Sequence, residues 1–342
     1  MPRHVSLLIL LLLTFPLLGC WSSSGPQEVV VYTALDMEFS QPIFEKFAQE
    51  TGLKVLPKFD VESTKTVGLV QSILAEADHP RCDLFWNNEI LHTLRLQKQG
   101  LLEVYRPTQA SHYPEAVRAA DGTWHGFAAR ARVLLVNTKK VPENERPTSI
   151  LDLKNPRWKG QTGLAKPLFG TTATHAACLF ALWGEDKAKT FFQELKANDM
   201  QILSGNKQVA LSVAGGQLAF GLTDTDDAII ELEKGMPVAI IYPDRAADQM
   251  GTLFIPNTLC LLKNSPHPAA AQRLADYLLT SEVELLLSRS SSAQIPLHDS
   301  VTETLRVETP RTVKALPIDF SSAAAQWETA SRFLRDEFAT GE

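Results

Sequence analysis

The stretch FGLTDTDDAIIELEKG (residues 220–235) sets Asp224, Asp226 and Asp227 within four positions, just ahead of an apolar run. Carboxylates so close together suit three uses: oxygen ligation of a hard cation, acid–base work, or the polar first turn of a helix. In the last of these, Asp and Thr accept orphan N–H groups and negative charge complements the helix dipole. A second constellation is Arg130 and Arg132 in WHGFAARARVLLVN (residues 124–137), where strand alternation sends both guanidinium groups to one side and Ala129 and Ala131 to the other. Guanidinium suits carboxylate or phosphate through paired donors, so the arginines serve a bound anion or neutralise an acid such as Asp224 or Asp227. FGTTATH (residues 169–175) reads as a Gly/Thr loop entering a helix, and its hydroxyls at Thr171 and Thr172 with the free first-turn N–H groups offer an anion or hydroxyl site. The plainer reading is a capped helix with His175 half exposed. SRSSSAQIP (residues 288–296) is a candidate rim loop or an ordinary solvated one.

Positioning these groups falls to alternating strands and helices. EVVVYTA reads as a buried strand and DMEFSQPIFEKFAQETG as an amphipathic helix, opened by Asp36 and closed by Gly52. LKVLPKF, STKTVGLVQSILAEA, CDLFW and EILHTLRLQKQG continue the series as strand, helix, strand and helix. Such alternation builds a parallel sheet covered on both faces, with ligands beyond the carboxyl ends of its strands, here TALD (residues 33–36) and WNNE (residues 86–89). A second α/β unit follows from GQTGLAKPLFGTTATHAACLFALWG onward, and SAAAQWETASRFLRDEF near the end reads as a surface helix.

The chain has 342 residues and a formal charge of −6. Its start, MPRHVSLLILLLLTFPLLGC, has the basic, apolar and small-residue order of a secretory signal, with an apolar core too short to span a membrane. Removing residues 1–19 takes away Arg3 and no acid, so −6 becomes −7. An acidic balance of this kind gives no electrostatic footing for nucleic acid. Cys82, Cys178 and Cys260 stand beside apolar residues with no CxxC pair, which points to buried thiols rather than to disulfides or zinc.

Several blocks in order resemble the ferric-iron-type extracellular solute-binding proteins of ABC importers. They are VVVYTALDMEFSQPIFEKFAQETGLKV, CDLFWNNEILHTLRLQKQGLL, ARARVLLVNTKKVP, LDLKNPRWKGQTGLAKPLFGTT, GGQLAFGLTDTDDA and GTLFIPNTLCLLKNSPHPAAAQRLADYLLT, and they cover nearly the whole chain after residue 27. LLGC also resembles a lipobox, which implies lipid attachment at Cys20 and a tether over residues 20–27. The resemblance implies an α/β, two-lobed periplasmic-binding-protein fold of type II kind, each lobe a mixed, mainly parallel sheet flanked by helices. Lobe one would hold residues 28–132 and 256–306, lobe two residues 133–255 and 307–342, with the hinge at two crossovers near residues 132–136 and 251–258. It further implies a monomeric receptor in the cell envelope that closes over a small charged solute. The closed form would dock on a membrane permease driven by a cytoplasmic ATPase, and the chain itself has no GxxxxGK[ST] loop.

Relatives of this type hold iron with two adjacent tyrosines, a His and an acid, together with a small anion. Here the tyrosine pair falls at Asp226 and Asp227, the His near Asp36 and the acid near Asn88 or Glu89, and adjacent tyrosines occur nowhere in the chain. Asp226 and Asp227, with Asp36, would then be carboxylate ligands for Fe(III) or another hard cation, with Arg130 or Arg132 on the anion. The alternative is a phosphorylated or otherwise charged organic solute, or a receptor that feeds a membrane sensor. GxSxG, HExxH and GxGxxG are all absent, which argues against an enzyme.

Overall fold

The computed structural model describes residues 27–60 and 66–338. The signal segment, Cys20 and nearly all of the tether lie outside the described residues.

Strand β1 (Glu28–Thr33) leads into helix α1 (Met37–Thr51), which stops where Gly52 turns left-handed at φ 70° and its N–H bonds the Ala48 carbonyl. Then follow β2 (Lys54–Phe59), α2 (Val67–Ala75), β3 (Leu84–Asn87) and α3 (Leu91–Lys98). A long strand, β4 (His125–Asn137), comes next, followed by β5 (Thr162–Ala165), α4 (Gly170–Trp183), α5 (Glu185–Ala197), β6 (Gln201–Leu203) and α6 (Asn206–Ala214). The chain continues through β7 (Phe220–Asp224), α7 (Thr225–Glu233), β8 (Val238–Ile241), β9 (Phe254–Leu261), α8 (Pro268–Leu278), α9 (Ser281–Arg289) and α10 (Phe320–Phe338).

The strands run in the order β2-β1-β3-β9-β4-β7-β5-β6, with β8 also paired to β4. Pairs β1·β2, β1·β3, β5·β6 and β5·β7 are parallel. Those of β9 with β3 and of β4 with β7, β8 and β9 are antiparallel, so the sheet is mixed. Strand β4 joins the two halves: its first part pairs with β9 and its second with β7 and β8. Alternation fills a core on each face of both halves. In β1, Tyr32 faces one core while Val29 and Val31 face the other; in β4, Leu134 and Val136 part in the same way from Val133 and Leu135.

Helix α10 is more than a surface helix. It lies against α3, α4 and α5, with Trp327 edge-on to His92 of α3 at 5.6 Å and Ala330 and Leu334 in the core around Phe180 and Phe192. Sequence reading passes over two short elements, β6 and α9. Cys82, Cys178 and Cys260 are buried free thiols.

Candidate ligand-binding cleft

Between the halves lies a crevice that opens to solvent. Asp36 reaches it from the N-terminus of α1, Asn88 from the end of β3, and Arg130 from β4. Lys166, Gly170, Thr171 and Thr172 come from the β5–α4 turn, Asn206 from the start of α6, and Asp224, Asp226 and Asp227 from the β7–α7 junction. Three helices, α4, α6 and α7, thus begin at one wall and aim N–H groups and positive dipole ends towards it.

Strand β7 passes into α7 without a loop, so the three aspartates take different work. Asp224 occupies the N-cap position, yet its side chain makes no cap bond. It lies directly opposite Arg132 across the β4·β7 ladder, and the two form an ion pair with Nη1 2.6 Å from Oδ1. Arg132 is wholly buried and outside the crevice lining. Its Nη1 also donates to Asn206 Oδ1 at 3.0 Å and to Thr171 Oγ1 at 3.3 Å, and Nη2 donates to Thr172 Oγ1 at 3.2 Å. Asn206 Nδ2 and the Thr171 hydroxyl both donate to Asp224 Oδ2. One charge therefore cancels the other beneath the wall, and the network fixes the starts of α4 and α6 against β7. Asn206 lacks a motif of its own; the only signal for it was Ser-Gly-Asn ahead of an apolar run.

Arg130 is the arginine that faces the cleft. A bulge in β4 between Phe127 and Arg130, with Ala128 at φ 43°, precedes it, while Ala129 and Ala131 enter the core. Arg130 is 3% exposed; its Nε lies 3.4 Å from Asp226 Oδ2 and its Nη2 donates to Asn257 Oδ1 at 3.3 Å. Burial works against its charge, but Asp226, Asp224, Asp36 and Asp227 together outweigh that and hold the guanidinium firmly protonated. Asp226 and Asp227 form the first turn of α7, and one carboxylate oxygen from each of Asp224, Asp226 and Asp227 lies within 4.8 Å of the others.

Asn88 Oδ1 accepts from the Thr66 hydroxyl at 2.8 Å at the crevice edge. Glu89, its neighbour, turns away from the crevice and is fully buried. It accepts from the Asn87 amide at 2.6 Å, the Thr174 hydroxyl at 2.8 Å and the His92 backbone N–H at 3.0 Å, with His92 Nδ1 3.2 Å away. Burial alone would push its carboxyl up, but His92, Asn87 and Thr174 hold it below its ordinary value. His175, expected half exposed, is buried, because Ala173, Ala176 and Ala177 draw that turn of α4 into the core. Burial, and then Arg132, lower its pKa to about 3, so the ring is neutral. In the Ser-rich loop, Ser292 and Gln294 are buried rather than solvated, and Gln294 lies beside Arg130 and Asn257.

Comparison with known proteins agrees with this architecture. The chain is 25% identical over 315 residues to the major ferric iron-binding protein of Neisseria meningitidis serogroup A, covering 90% of this chain and 92% of that one. Its fold is similar to iron-bound HitA from Pseudomonas aeruginosa, with TM-score 0.82, 23% identity and coverage of 90% and 99%. It is equally similar to the periplasmic binding protein AfuA from Actinobacillus pleuropneumoniae with fructose-6-phosphate bound, with TM-score 0.81, 21% identity and coverage of 92% and 99%. These neighbours are two-lobed periplasmic binding proteins. Residues 89–323 match the model of one family over more than half of the chain, and the chain belongs to the bacterial extracellular solute-binding proteins.

Proposed function

We propose that this chain is the solute receptor of an ABC import system and takes a small charged solute, not a hydrophobe, into the cleft. The observation that carries the reading is the convergence of Arg130 with Asp36 from the α1 side and Asp226 and Asp227 from the α7 side on one crevice. A ligand that touches both sides stabilises the closed arrangement over the open one, which is what a docking permease reads. The lobes would divide as the sequence suggests, with β4 and β9 as the crossovers, and Cys20 would carry a lipid that keeps the monomeric receptor at the envelope.

By kinship the ligand is a ferric or other hard cation, held by the carboxylates of Asp226, Asp227 and Asp36 and accompanied by a small anion on Arg130. Asp224 is less suited to ligation, because its oxygens already serve Arg132, Thr171 and Asn206. A second reading is a phosphorylated organic solute. It is favoured by Lys166 and the starts of α4 and α6 on one wall, by the absence of tyrosine from the crevice lining among the described residues, and by the sugar phosphate in AfuA.

A thermal-shift screen of metal-free protein separates the two. Fe(III) with carbonate or citrate should raise Tm, and Asp226→Ala with Asp227→Ala should weaken binding by more than about tenfold, the scale of one lost charged contact. A shift with sugar phosphates or phosphonates but none with iron establishes the second reading. No shift with any charged solute refutes both.

A further inference from the structure

His112, His298 and Asp299 stand outside the cleft lining, yet they converge. His112 ends a short turn, Ala110–His112, while His298 and Asp299 follow the bridge that ties Ile295 to Ala129. A backbone bond from the Asp299 N–H to the His112 carbonyl at 3.0 Å clips the two segments together. Both imidazoles turn Nδ1 to the same carboxylate oxygen: Asp299 Oδ1 is 2.9 Å from His112 Nδ1 and 3.7 Å from His298 Nδ1. The rings lie face to face, with centroids 4.7 Å apart and planes 12° apart.

We propose that these three side chains form a divalent transition-metal site for Zn2+ or an ion of similar softness, separate from the solute cleft. Two ligands at about 2.0–2.1 Å from a tetrahedral ion are about 3.3–3.4 Å apart, and the observed 2.9 and 3.7 Å bracket that span. One ligating atom from each residue lies within 4.8 Å of the other two. Two imidazoles and one carboxylate favour zinc, copper or nickel over magnesium or calcium, which prefer all-oxygen sets. The tautomer of His298 also fits. Its Nδ1 accepts the Ser300 N–H at 3.2 Å, which marks Nδ1 as the unprotonated nitrogen. A bound ion would take over that single lone pair from the Ser300 N–H, and the proton then belongs on Nε2, which is buried with no partner among the described residues. The ion displaces the proton between His112 and Asp299. To let one ion lie in both ring planes, His112 must tilt out of the stack; its side chain is 43% exposed, so the movement costs little packing. The bound metal would fasten the 110–112 turn to the 298–300 loop.

The test is calorimetric titration of the metal-free full chain with ZnCl2 alone, in parallel with His112→Ala, Asp299→Asn and the cleft double variant Asp226→Ala with Asp227→Ala. His112 and Asp299 have exposed side chains, and the Tm of each metal-free variant checks that it folds. Expected is one zinc bound to the wild type, affinity lower by about tenfold or more in His112→Ala and Asp299→Asn, and that site retained in the cleft variant. Absence of zinc binding in the wild type, unchanged affinity in folded His112→Ala, or loss of the site in the cleft variant overturns the proposal.

Discussion

Glu284 in α9 offers the sharpest test of the electrostatics beside the cleft. Its carboxylate is fully buried and accepts the Ala128 N–H and the Leu297 N–H, each at 3.0 Å. It thereby holds the β4 bulge just ahead of Arg130 and the loop that presents Gln294. Burial raises its pKa from 4.5 to about 7, against the lowering effect of those N–H donors. Between pH 4.5 and 7 the folded chain holds a proton at this site that the unfolded chain has released, so stability falls as pH rises through the window and is flat above it. A shift from 4.5 to 7 at about 1.4 kcal/mol per pH unit corresponds to about 3 kcal/mol. Glu284→Gln has nearly the same shape and no proton to exchange. Urea unfolding of both proteins from pH 4.5 to 8 should show the wild type losing about 3 kcal/mol relative to the variant, with most of the loss between pH 5 and pH 7. Parallel stability curves, constant to within about 0.5 kcal/mol across that range, would falsify the reasoning.

Two further outcomes follow from the charges near the cleft. Arg132→Met strands the Asp224 carboxylate in a buried pocket, so chemical denaturation should register a loss of about 3–5 kcal/mol; a loss below 1 kcal/mol would mean that water reaches the pair. Lys207 of α6 lies 3.5 Å from Glu38 of α1 with both side chains more than half exposed. Lys207→Ala should therefore change solute affinity by less than about fivefold, and 0.5 M salt should erase the difference; a large, salt-resistant effect would show a direct ligand contact.

Most of the elements were legible in local chemistry. Gly52 closes α1 because its left-handed φ is one that glycine adopts freely. The unbroken apolar run VLLV in β4 suits a strand buried on both faces, and its residues alternate between two cores. What failed locally depended on partners distant in sequence. Of the uses the sequence allowed Asp224, the helix cap gives way to the arginine pair because Arg132, 92 residues earlier, stands opposite it in the ladder, and a buried guanidinium outcompetes a backbone N–H for a carboxylate. His175 looked half exposed because nothing nearby in the chain reveals that its side of α4 meets Leu164 of β5, Phe191 of α5 and Leu222 of β7 around one small cavity. Asn206 and Gln294 carry no motif and matter only through what they touch.

The sequence alone determined the class of protein, through its strand–helix alternation and the ordered blocks that resemble the extracellular solute-binding family. Only the tertiary structure divided the labour among like residues. Of two arginines two positions apart on one side of a strand, Arg132 is spent on Asp224 beneath the wall and Arg130 faces the cleft. The reason is physical: a side chain's type and alternation are local, but whether its charge is already neutralised depends on the strand that lies alongside, and the fold alone supplies that neighbour.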